Sequence, residues 1–144
     1  MKKLLLGFCC LWASGVWAQM TPVGTWHTID DVTNTPKGEV QITEKDGILT
    51  GVIGKALQND PKAKTICDLC KDDRKNQNII GMEFVRNLKR EGNKNLWAGG
   101  GKILDPNNGK EYTLEMVPIE DGKKLQVRGY IGPFYRTQVW LRVQ

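Results

Sequence analysis

Cys67 and Cys70, in the stretch "TICDLCKDDRKNQ" (65–77), have the spacing best suited to chemistry in this chain. Two thiols so placed can act as a redox dithiol, supply half of a metal site, or close a loop as a disulfide. A redox pair needs a thiol of lowered pKa, normally at a helix N-terminus within a βαβ unit. No such pattern surrounds 65–77. A structural zinc site needs four ligands, and one CxxC supplies two. His27 and an aspartate would have to complete it, and no spacing in the chain favours that. A disulfide is the reading adopted, with the dithiol and zinc readings left open. It suits an oxidising compartment and, for so short a loop, contributes about 2 kcal/mol by the chain-entropy argument. No cofactor and no metal are expected.

The remaining reactive groups exclude several enzyme classes. Ser14 is the only serine and lies in the N-terminal leader, which removes a Ser-His-Asp hydrolase from consideration. His27 is the only histidine, so zincin motifs are impossible, and its place beside Trp26 in a strand reads as structural. "AGGGK" (98–102) lacks the spacing and the following helix of a phosphate-binding loop. Asp105, Glu111 and Glu115 qualify as glycosidase acids by type alone. The charge run "KDDRK" (71–75) reads as a solvated surface. The chain is not expected to be an enzyme.

The first residues, "MKKLLLGFCCLWASGVWAQM", join Lys2 and Lys3 to a short apolar run and the small-residue pattern "VWA" at 16–18. That layout predicts a signal peptide cleaved after Ala18, with export to the periplasm. Cleavage would remove Cys9 and Cys10, and would leave 19 of the 21 basic residues against 16 acidic ones, a net charge of +3. So balanced a surface gives no nucleic-acid footprint, and nothing after 18 is apolar for long enough to span a bilayer.

The elements that must position these groups read as strands. Short alternating runs follow one another: 23–29, 38–43, 48–55, 78–90, 95–105, 110–119, 124–132 and 134–143. Turn chemistry separates most of them, as in "EKDG" (44–47), "PNNG" (106–109) and "EDGK" (120–123). The segment 56–78 is the one long polar connection. About eight strands in chain order predict an all-β fold, a single up-and-down antiparallel barrel over 19–144, since closure removes the exposed edges of a meander.

"GTW" at 24–26, on the first strand, resembles the Gly-x-Trp element of lipocalins and their calycin relatives. That resemblance implies a basic residue of the final strand, Arg142 or Arg136, stacked over Trp26. Nearly the whole mature chain resembles the bacterial domain of unknown function 2147 family. The matching elements are "GTWHTIDD" (24–31), "EKDGILTGVI" (44–53), "CDLCKDDRKNQNIIGM" (67–82), "GGKILDPNNGKEY" (100–112) and "LQVRGYIGPFYRTQVWLRV" (125–143). It implies a lipocalin-like exported barrel and no particular reaction.

The expected function is binding of a small apolar or amphipathic ligand inside the barrel. The expected lining or core is Trp26, Val40, Ile42, Met82, Phe84, Tyr112, Leu114, Met116, Val127, Val139 and Leu141. Eight strands leave an interior either filled by side chains or just able to hold one small ligand. The alternatives are a solid barrel that meets another envelope protein through its loops and the 56–78 connection, and a thiol-redox protein using Cys67 and Cys70.

Overall fold

Nine strands form in chain order because apolar and polar residues alternate between glycine-bearing turns. They are β1 (Gly24–Ile29), β2 (Pro36–Lys45), β3 (Ile48–Ala56), β4 (Glu83–Arg90), β5 (Trp97–Gly99), β6 (Lys102–Asp105), β7 (Lys110–Ile119), β8 (Lys124–Ile131) and β9 (Phe134–Arg142). The computed structural model describes residues 20–144; the expected leader, 1–18, lies outside the described residues.

All strand pairings are antiparallel, and the sheet closes on itself. β5 and β6 both lie between β4 and β7, so together they act as one interrupted stave of an eight-strand barrel. The closing seam joins β1 to β9 through Trp26↔Arg142 and His27↔Leu141. Among the described residues no helix is long and apolar enough to cross a membrane.

The expected stave 95–105 is therefore broken in the middle. Gly100 adopts a positive φ of 71°, and a Cβ on Gly101 would collide with the side chain of Leu88. Leu88 is fully buried, so the backbone yields there to make room for it.

The two ends of the barrel differ. At one end the 20–23 segment and the turns at 46–47, 91–96 and 120–123 lie over a packed interior that includes Trp26, Ile42, Leu49, Leu88, Leu114 and Leu125. At the other end are the connections 30–35, 57–82, 106–109 and 132–133, and here the barrel is open.

Most expected inward residues are in place: Trp26, Val40, Ile42, Met82, Phe84, Leu114, Met116 and Val127 are buried, and Tyr112 is half-buried. Val139 and Leu141 are not: each is 39% exposed. β9 pairs with β8 through Leu125↔Trp140 and Val127↔Gln138, so its inward face carries Gln138 and Trp140. One residue of register decides the face in a strand, and "VWL" (139–141) is apolar at all three positions.

Candidate functional site

The open end leads into a cavity of about 370 Å³. Its walls come from alternating residues of the staves: Val40 of β2, Ile53 of β3, Phe84 of β4, Ile103 of β6, Tyr112 of β7 and Val127 of β8. Trp140 is the deepest residue that β9 contributes, and its ring lies 6.1 Å from that of Phe84. Gly129 keeps this wall thin, since a Cβ there would come within 3.3 Å of Tyr112. Polar groups within the cavity are few. Gln138 accepts from Trp140 Nε1 at 3.3 Å and donates toward Asp31 at 3.4 Å. The Tyr112 hydroxyl accepts from Asn108 Nδ2 at 3.1 Å.

Charge is confined to the mouth. Arg136 pairs with Asp31, and Lys37 approaches Asp30 at 3.9 Å. Asp30 also accepts from the backbone N–H groups of Thr33 and Val32, which hold its carboxyl below the usual range and fix the β1–β2 connection. An apolar chamber with a charged rim can hold a small molecule that has an apolar body and a polar end. No metal-binding cluster of His, Cys, Asp or Glu occurs among the described residues.

The closed end is sealed by one arginine. Arg142 lies 4.1 Å over the Trp26 ring and donates to the carbonyls of Thr21 (2.7 Å), Val23 (2.8 Å) and Gly122 (2.5 Å). Trp26 Nε1 in turn donates to Pro22 at 2.8 Å. Burial lowers the pKa of Arg142 from its ordinary value. Of the two basic residues expected over Trp26, Arg142 takes the place. Arg136 does not, because it lies at the opposite end of β9, where it pairs with Asp31. The lone His27 lies 3.3 Å from Glu39 on the neighbouring strand.

Cys67 and Cys70 form a disulfide, and both are buried. The disulfide loop rests on the β6–β7 turn: a Cβ on Gly109 would overlap the Leu69 carbonyl, and Cys67 Sγ lies 3.5 Å from the Pro106 oxygen. Leu104 pairs with Glu111, on the face of the stave opposite Tyr112, yet it is almost fully buried, because the loop covers it.

The expected solvated run 71–75 is corrected at its centre. Arg74 is 2% exposed and is the anchor of the loop. It donates to both oxygens of Asp72, to Glu111 at 2.7 Å and to the Glu83 carbonyl at 3.2 Å. Through these hydrogen bonds Arg74 holds the Asp72 carboxyl down to about 2. Asp73 pairs with Arg86 at 2.8 Å, so the run clasps β4 and β7. Sequence reasoning missed Arg74 because, besides its neighbour Asp72, it is held by the Glu83 carbonyl and by Glu111, which the sequence does not place beside it. It missed Trp140 because its neighbours are equally apolar.

Residues 24–142 match the family described as "Uncharacterized protein conserved in bacteria (DUF2147)", and the chain belongs to that family. No curated protein matches the chain. A solved structure described as "Protein HP1028 from the human pathogen Helicobacter pylori belongs to the lipocalin family" superposes with a TM-score of 0.69. It is 21% identical, and the match covers 85% of this chain and 82% of that one. The barrel is thus lipocalin-like in fold.

Proposed function

We propose that this member of the DUF2147 family is an exported, non-enzymatic binding protein whose barrel holds one small apolar or amphipathic molecule at its open end. The observation that carries the reading is the cavity of about 370 Å³, apolar-walled and charged only at its rim. Ligand pockets typically span about 300–1,000 Å³, and this one lies at the lower end. The volume suits a compact ring or a single acyl chain and is too small for a two-chain phospholipid held whole. Lipocalin-like topology supports the reading at the level of fold.

Export rests on the leader pattern at 1–18. It agrees with the buried disulfide, since disulfides persist in oxidising compartments such as the periplasm. Burial of both sulfurs also favours a structural over a redox role, because exchange requires thiolate access to a sulfur.

Native mass spectrometry of the protein purified from its own compartment tests the reading. The expected result is a retained small molecule that is absent from Val127→Phe, a variant whose larger side chain enters the cavity. A barrel that retains nothing and binds no member of a panel of small apolar probes would sink the binding reading. Protein recovered with the leader intact and no compartmental enrichment would sink export.

A further inference from the structure

The exposed apolar side chains of the barrel are unevenly distributed. At the open end Val32 of the β1–β2 connection is 92% exposed, and Leu69 of the β3–β4 connection is also exposed. The β8–β9 hairpin adds Ile131, Phe134 (73% exposed) and Tyr135 (64% exposed) around the turn 132–133. The closed-end turns at 46–47, 91–96 and 120–123 carry no exposed large apolar side chain, and the only such side chains exposed at that end are Met20 (43% exposed) and Leu141 (39% exposed). The apolar tips therefore ring the mouth, and they come from three separate connections.

Folding does not account for this placement. Leaving Phe134 in water gains nothing for the barrel, since Ile131↔Phe134 is the last pair of the hairpin and covers no core. The neighbouring aromatic is paired with charge: the Arg128 guanidinium lies 4.9 Å over the Tyr135 ring. An aromatic ring beside an arginine, next to a more apolar tip, matches the layered chemistry of a bilayer surface. There acyl chains, glycerol esters and phosphates succeed one another over a few ångströms. A folded protein partner would need a continuous complementary face of roughly 1,000 Å² or more in total, and separated tips around an opening do not supply one. A fluid interface accepts separated tips.

We propose that the barrel docks by its open end on a phospholipid bilayer, with Ile131, Phe134 and Tyr135 entering the interfacial layer and Arg128 beside the phosphates. Docked in this way, the mouth's ion pairs Arg136–Asp31 and Lys37–Asp30 lie at the level of the headgroups, and the cavity behind them faces the bilayer, from which a sparingly soluble molecule would be loaded or into which it would be released. The docking goes beyond the ligand reading and stands or fails separately from it.

Sedimentation with vesicles of phosphatidylethanolamine and phosphatidylglycerol tests the proposal on the leader-free chain. Wild type is expected to pellet with the vesicles. Phe134→Ser with Tyr135→Ser should weaken partitioning by roughly tenfold or more, the loss expected from withdrawing two aromatic side chains from an apolar layer. Lys94→Ser, in a closed-end turn, should pellet like wild type. Phe134→Trp should retain binding, and bromine-labelled acyl chains should quench the fluorescence that it adds to the wild-type signal. This arm keeps the test informative if the double variant loses its fold. A wild-type protein that stays in the supernatant overturns the proposal, as does added fluorescence in Phe134→Trp that the brominated chains leave unquenched. So does a double variant that pellets undiminished, or a Phe134-dependent dimer in light scattering without vesicle binding.

Discussion

Two arginines hold the ends of this barrel: Arg142 gives its donors to backbone carbonyls, and Arg74 gives most of its donors to carboxylates and one to a carbonyl. Arg142 satisfies three of them while covering Trp26, so it combines hydrogen bonding with cation–π stacking in a partly desolvated place. Arg142→Met keeps the length and loses the donors. It should destabilise the barrel by about 2–4 kcal/mol in urea unfolding. Arg74 fixes the disulfide loop, and its partner Asp72 gives the effect a pH signature. The folded-state pKa of Asp72 lies below the ordinary 3.8, at about 2, so the folded state favours the charged form. The resulting stability is fully present above the ordinary value and is lost as pH falls toward about 2. Asp72 is 43% exposed, and solvent screening reduces the contribution to about 1 kcal/mol. Asp72→Asn should therefore be less stable than wild type at neutral pH and should approach it only as pH falls toward about 2, read from urea midpoints. Arg142 was legible in the sequence because "GTW" implied a basic partner from the last strand. Arg74 was not, because nothing local distinguishes a buried charge from its solvated neighbours.

Strand boundaries were legible where turn residues mark them, and strand faces were legible where apolar and polar residues alternate strictly. β7 shows both, and its Leu114 and Met116 point inward as the alternation requires. β9 shows neither over 139–141, and the inward residue is the middle one, Trp140. The break between β5 and β6 was hidden because three consecutive glycines fit either a flexible strand or an interruption. Only the packing of Leu88 distinguishes the two. The disulfide loop was expected to be held by its sulfurs, but its seat on the β6–β7 turn depends as much on Gly109. That residue combines a φ of 69° with a missing Cβ where the Leu69 carbonyl approaches. Cys67→Ala with Cys70→Ala should cost about 2 kcal/mol in unfolding free energy. Gly109→Ala should cost as much or more with the disulfide intact, because it adds backbone strain and displaces the loop. Hydrogen exchange should then show faster opening over 65–79 while the barrel strands stay protected.

The whole molecule is a chamber with one sealed and one open end, and the fold class was legible from the spacing of strands and turns alone. The cavity was not legible, because a filled barrel and a hollow one share the same alternation and differ only in how far the inward side chains reach. Here Gly129 and the half-buried Tyr112 leave room near the mouth, while Trp26, Leu114 and Leu125 fill the far end. Apart from the β4–β6 and β5–β7 pairings around the interrupted stave, strands pair with their neighbours in sequence, and the one remaining exception has a temporal consequence. The β1–β9 seam is made by the first and last strands among the described residues. On the ribosome, the stretch from the start of β1 at Gly24 to the start of β9 at Phe134 takes roughly 6–22 s to make, at about 5–20 residues per second. During that time β1 has no second neighbour, since the strand that will flank it has not yet been synthesised. Chains halted before β9 should stay sensitive to protease, and chains that include β9 should become resistant in a single step. Until β9 exists the barrel cannot close, and the unpaired edges of β1 and β8 stay open to solvent or to a strand of another chain.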